Sequence, residues 1–263
     1  MSVGNSSTDE ITLYDLKSRG RCACWSPNVW KARLALNYKN IPYKTHWLEH
    51  QTIAPTLEPL GIPPNKGPYV SPHTVPTIHI PSPEDSYMMD SQAIATYLDE
   101  THPSPPLRLT DPSYASTTLA PISSLLARAA IPLFPVFMPR IGRDVIVESS
   151  SEYFHENQAK RFGMPMAQLE AARGGDAAWE AAKPAIEALG ALVQQGGGGK
   201  GEAESGPFVL GAEVSYADFV IAAFLESLRR IGPDMYEKAI GYDGTGALER
   251  LHGACKPWMG KDQ

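Results

Sequence analysis

The sequence has 263 residues, 43% of them hydrophobic, enough to bury a sizeable core in one large or two small domains. Its net charge of −6, without any run of Lys or Arg, disfavours a polyanionic partner such as nucleic acid. The first ten residues are polar, no apolar run approaches the roughly 20 residues that cross a bilayer, and three cysteines build no disulfide framework, so a cytoplasmic protein without a membrane partner is expected.

The apolar-rich run Ile11–Leu16 reads as a strand. Next comes Cys24-Trp25-Ser26-Pro27-Asn28-Val29-Trp30, where the pattern turns helical: Val29, Ala32 and Leu36 recur beside Trp30, Leu34 and Tyr38. Ser26 falls at the start of this helix, with Pro27 where a missing N–H costs nothing. Its hydroxyl would then lie beside unpaired amide donors, which stabilise anions. A thiolate held there would have a lowered pKa, so the stretch reads as a thiol-peptide site.

Residues 43–48 form a second strand candidate, and residues 55–72 are Pro- and Gly-rich and irregular. Residues 77–80 and 87–89 suggest a hairpin around Pro81-Ser82-Pro83, and residues 91–100 return to helix after Asp90. The order βαβ, irregular, ββα implies a small mixed sheet flanked by helices. His102-Pro103-Ser104-Pro105-Pro106 stops the helix and stiffens the connection, which places a boundary there: a first domain over 1–102, a linker over 103–112 and a second domain over 113–263.

Beyond about residue 113 the patterns are Ala/Leu-rich and helical, so an all-α bundle is expected. Gly196 to Gly199 with Lys200-Gly201 resembles a phosphate loop only superficially, because no Ser or Thr follows the lysine, and reads as a surface loop. Ser215-Tyr216-Ala217-Asp218 is a capping box with Asp in place of Glu, and Val214 can staple to Phe219. The helix it starts is apolar nearly all round, which puts it in the middle of the bundle.

Competing sites are weaker. Cys24 is a nucleophile candidate two residues before Ser26, with a partly buried loop thiol as the plainer reading. Cys22-Ala23-Cys24 lacks the second pair that a zinc site requires, and His46 and His50 read as surface histidines, so no metal is expected.

Together the first half, the Pro-rich link and the helical half with its capped core helix resemble the cytosolic glutathione transferases over nearly the whole chain, with a thioredoxin-like α/β N-terminal domain and an all-α C-terminal domain. Ser26-Pro27-Asn28-Val29-Trp30-Lys31-Ala32-Arg33, Asn37-Tyr38-Lys39, Ser151-Glu152-Tyr153-Phe154 and Arg161-Phe162-Gly163 are similar to the fungal-specific class related to β-etherases. The resemblance implies Ser26 as the thiol-activating residue, a cis bond at Val75-Pro76 presenting backbone to glutathione, and Asp90-Ser91 binding its γ-glutamyl end. Asn28 and His73 are further glutathione contacts on this reading, and Trp25, Phe134, Phe137 and Met138, between Pro132, Pro135 and Pro139, would wall the second-substrate pocket. It also implies a homodimer and attack of the glutathione thiolate on a hydrophobic electrophile, a fungal secondary metabolite being favoured. Conjugation, reductive ether cleavage and glutathione-dependent cis-trans isomerisation of a conjugated polyene share that step, and a non-catalytic carrier of aromatic ligands is the alternative outside catalysis.

Overall fold

The computed structural model describes residues 10–66, 71–81, 83–197 and 205–263. Four strands form one sheet in the order β2-β1-β3-β4: β1 (Ile11–Leu16), β2 (Tyr43–Leu48), β3 (Thr77–Ile80) and β4 (Ser86–Met89). β1 pairs parallel with β2, Ile11 opposite Tyr43, and antiparallel with β3, Leu13 opposite Ile78. The parallel pair needs a crossover, supplied by α1 (Pro27–Tyr38), while β3 and β4 form the expected hairpin, whose tip at Ser82 lies outside the described residues.

All six residues of β1 are buried, including Asp15. That carboxylate accepts from Arg33 of α1 through Nε (3.0 Å) and Nη2 (2.9 Å), and both side chains are fully buried. Leu16 N–H completes its shell at 2.6 Å. The stretch 55–72 is less irregular than expected, since it overlaps a short helix, α2 (Ile53–Leu57), followed by a turn that Gly61 ends at φ 70°. Helix α3 (Ser91–Thr101) then packs on α1.

After α3 the Pro-rich connection is clamped from within. Lys39 Nζ, buried, donates to Asp99 (2.9 Å) and to the carbonyls of His102 (2.7 Å) and Pro105 (2.8 Å), and Asp99 also accepts from Leu107 N–H and Leu109 N–H.

From Ala115 onward the ordered elements are helices: α4 (Ala120–Arg140), α5 (Ser151–Phe162), α6 (Met166–Arg173), α7 (Asp176–Gly197), α8 (Tyr216–Ile231), α9 (Pro233–Tyr242) and α10 (Ala247–Cys255). Among the described residues the only β-type pairing there is two isolated bridges at Phe208–Gly211 and Leu210–Glu213. Of the glycine stretch read as a loop from Gly196, Gly196 and Gly197 instead end α7, and residues 198 to 201 lie outside the described residues. α8 is buried through most of its length, and α1, α4, α9 and α10 pack around it. Its capping box forms as read: Asp218 Oδ2 accepts from Ser215 N–H and Oγ–H, both at 2.8 Å, and Oδ1 takes Val209 N–H at 2.7 Å.

α4 corrects one expectation. With π-helical turns at both ends it extends into a rod, Ala115–Val145, in which an 18-residue window has a mean hydropathy of 1.5, long and apolar enough to cross a membrane by length and composition. Scattered Ser, Thr and Pro break the consecutive apolar run without lowering the average below that mark. Leu126, Ala129, Leu133 and Val136 are buried, and the helix lies chiefly along α7, with α6 and α8 also in contact.

Candidate active site

The site starts where β1 leads into α1. Cys24 N–H donates to Asp262 O (2.9 Å), which fixes the loop from behind. Ser26 has extended backbone (φ −71°, ψ 127°), and its carbonyl accepts the first helical bond from Trp30 N–H (3.0 Å). Its side chain makes no capping bond, against the simple reading of a Ser before Pro. Ser26 Oγ has no hydrogen-bond partner among the described residues, so it is free to bind a ligand.

Ser26 lines a cavity of about 420 Å³ between the sheet half and the helical bundle. The four residues expected to wall it, Trp25, Phe134, Phe137 and Met138, all do so, joined by Phe154, Phe224 and Ile231. Phe134 and Phe137 meet edge to face, centroids 5.2 Å apart. Asn28 lines the same cavity and accepts from Lys31 Nζ at 3.0 Å.

His50 is the first residue that the sequence reading misplaced. It leaves the end of β2 in a short turn, stacks on Trp25 (6.1 Å) and meets Phe154 edge-on (5.1 Å), on the wall of the cavity. Burial lowers its pKa from 6.5 to about 4, so the ring is neutral near pH 7. His46, on β2, is exposed and lies against Tyr14, as a surface histidine should.

Cys24 fails as a nucleophile. It is fully buried, and burial beside the Asp15 carboxylate pushes its thiol well above the usual range, so it stays protonated. Cys22 is also raised by burial. Among the described residues no cluster of His, Cys, Asp and Glu could hold a metal ion.

A second neighbourhood gathers at the start of α3. The Val75–Pro76 bond is cis, and neither the N–H nor the C=O of Val75 has a partner among the described residues. Pro76 O accepts from Asp90 N–H (3.3 Å), which sets Asp90-Ser91 beside it. Asp90 sits at φ 88°, a strained position for a non-glycine residue, and caps α3 with Oδ1, which accepts from Gln92 N–H and Ala93 N–H at 2.9 Å. Oδ2 is left over. Ser91 is buried against the Tyr216 hydroxyl of α8, itself buried without a well-formed hydrogen bond.

Lys31 belongs here and was singled out in sequence only as part of a motif. Burial lowers its pKa, and the Asp90 carboxylate opposes that shift, so a cation stands between the starts of α1 and α3. A lysine near the N-terminal end of a helix, against the helix dipole, is the signal that could have found it. His73 is placed differently: its Nε2 contacts Ile62 O at 3.3 Å, and the ring borders a more polar cavity of about 480 Å³ shared with His50, Gln158 and Arg161.

Residues 25–101 match the family model described as the N-terminal domain of glutathione S-transferase, and residues 122–258 match its C-terminal domain. The chain is 33% identical over 262 residues to the glutathione S-transferase-like protein ustS of Aspergillus flavus, covering 96% of this chain and 92% of that protein. Among solved structures, the glutathione transferase GSTFuA3 of Phanerochaete chrysosporium shares the fold with a TM-score of 0.81 at 23% identity, over 96% of this chain and 98% of that one. The glutathione S-transferase CsGST63524 of Ceriporiopsis subvermispora, solved in complex with glutathione, gives a TM-score of 0.79 at 27% identity, over 95% and 97%.

Proposed function

Since the chain belongs to the glutathione S-transferase family, we propose that it is a glutathione-dependent enzyme acting on a hydrophobic electrophile, with Ser26 as the residue that holds the thiolate. The observation that carries this reading is the unpartnered Ser26 hydroxyl on the wall of an apolar cavity. Glutathione, when bound, supplies a thiol that becomes a nucleophile as its thiolate.

The protein's groups fit the tripeptide. Asp90 Oδ2 accepts from an ammonium, while Ser91, the α3 N-terminus and Lys31 suit an α-carboxylate. The free N–H and C=O of Val75 suit an extended peptide added as a strand. Ser26 donates one hydrogen bond to the sulfur, and the aromatic wall keeps water away, which strengthens that bond. Domains over 1–102 and 113–263, joined by 103–112, divide the work: the first holds glutathione and the second walls the electrophile's pocket. A homodimer is part of the proposal, supported by Ile131, 59% exposed on the apolar α4. So is a cytoplasmic location, which suits three free thiols, Cys22, Cys24 and Cys255.

Calorimetric titration with glutathione should give a dissociation constant of about 1 μM to 1 mM, weakened in Asp90→Ala. With a reactive chloronitrobenzene, free thiol should fall by one per product. The same count sorts the related reactions on a metabolite, since reductive cleavage consumes two thiols and isomerisation none. No heat at millimolar glutathione and no enzyme-dependent thiol loss would overturn the reading.

A further inference from the structure

Arg161 carries the one formal charge among the residues lining the cavity beside Ser26. It belongs to the last turn of α5, and its guanidinium lies over the faces of Phe134 (5.2 Å) and Phe162 (5.5 Å). Those two rings meet at 6.2 Å, so the cation, on an exposed residue, rests at an aromatic corner. No carboxylate pairs with it among the described residues, although its neighbour Lys160 lies 4.0 Å from Glu156. Neither this cavity nor the more polar one next to it, which Arg161 also borders, is lined by any Asp or Glu.

Two further polar atoms in the wall have no partner. Trp25, 7% exposed, has its Nε1–H buried without an acceptor, and Gln158 has its Oε1 buried without a donor. Buried polar atoms are seldom left unpaired, because the loss of water is then uncompensated. The cavity wall, mostly apolar with Ser26, Asn28 and Ser227 as its small polar groups, thus carries a single cation, the Arg161 guanidinium, with His50 beside it neutral. A neutral hydrocarbon would leave the guanidinium without a partner. A body carrying an anion at one end would pair with it.

We infer that the second substrate is an apolar electrophile bearing a carboxylate, and that Arg161 is the residue that selects it. This inference rests on the proposed glutathione-dependent reaction and adds the chemical class of its second substrate. A bidentate guanidinium–carboxylate pair fixes orientation as well as charge, so the electrophilic carbon is turned toward Ser26 while the acid end stays at the mouth.

The test uses a matched pair of thiol-reactive enones, ethacrynic acid and its methyl ester, which differ in the charge and one methyl group. In the wild-type protein kcat/KM for the acid should exceed that for the ester. Arg161→Gln should lower this ratio about 10- to 100-fold, the loss of one charge-assisted pair, mainly through KM for the acid. Arg161→Lys should keep part of the preference, and high salt should shrink it in the wild type. Glutathione affinity by calorimetry should stay within about twofold in Arg161→Gln, because an anion pair worth more than that would show as a larger change. An unchanged acid-to-ester ratio overturns the inference. So does a fall in glutathione affinity that accounts for the lost rate, since the guanidinium would then serve the tripeptide. If neither compound reacts, direct binding read by Trp fluorescence decides independently of the glutathione reading: tighter binding of acid than ester, lost in Arg161→Gln, upholds the inference, and equal binding refutes it.

Discussion

A hydroxyl at the start of a helix normally accepts from the second or third amide of that helix, and such a cap stabilises by about 1 kcal/mol. Ser26 forgoes this bond, and its O–H has no acceptor among the described residues, so the hydroxyl is available as a donor. A hydrogen bond to a charged sulfur is worth about 1.5–3 kcal/mol, which corresponds to a thiol pKa shift of about 1–2. Ser26→Ala should therefore raise the pKa of the bound glutathione thiol by that amount and lower kcat/KM at neutral pH about 10- to 100-fold, read from the pH dependence of the thiolate's ultraviolet absorbance. Cys24→Ala should leave that pKa where it was. The reverse order would move the chemistry to Cys24.

Between the strand and helix that carry this serine lies the Asp15–Arg33 pair, wholly withdrawn from water. Removing one partner leaves an uncompensated buried charge, so Arg33→Met should destabilise the protein by about 3–5 kcal/mol, seen as a fall in the urea midpoint. Asp15→Leu with Arg33→Met should recover most of that loss. If the single variant costs less than about 1 kcal/mol, the pair is not buried as described. Arg33 was invisible as a core residue in the sequence, because its partners lie on β1 and β2 while helical periodicity reports only apolar positions. The elements with local signals were legible: β1 to β3 from short apolar runs between turns, α1 from Pro27 after Ser26, α8 from its capping box. Of the site, Trp25, Phe134, Phe137 and Met138 come together on one wall, since a resemblance carries residue positions. His50 and Lys31 needed three dimensions, for what makes the first neutral is the distant Phe154 and what faces the second is Asp90.

For the molecule as a whole, two buried groups pull stability in opposite directions with pH. His50 has its pKa lowered on folding to about 4, so the unfolded chain binds the extra proton between about 4 and 6.5, and stability rises with pH across that window. Asp218 is raised by burial from 3.8 to about 6, so the folded state holds the extra proton and stability falls as pH rises through the overlapping range. Together they flatten the profile. His50→Phe keeps the ring against Trp25 and removes one of the two, so between pH 7 and 4 the variant should gain about 3 kcal/mol relative to wild type in denaturant titrations. Parallel profiles for the two proteins would show that His50 keeps its ordinary pKa.

The returning segment after α10 has a consequence for how the protein is made. Asp262 receives Cys24 N–H and pairs with Arg21 across a separation of 241 residues, while the carbonyls of Trp258 and Lys261 take the Asn37 amide. Contacts so distant along the chain form late, because a long loop must close before they return any energy. During synthesis the sheet and α1 emerge from the ribosome well before the residues that brace the serine loop, so a nascent chain passes through an interval in which the first half has its hydrogen-bonded strands but no backing for Cys24. In that interval the loop of Cys24 and Ser26 lacks the backbone anchor that Asp262 supplies, and the serine is set in place only when that segment arrives.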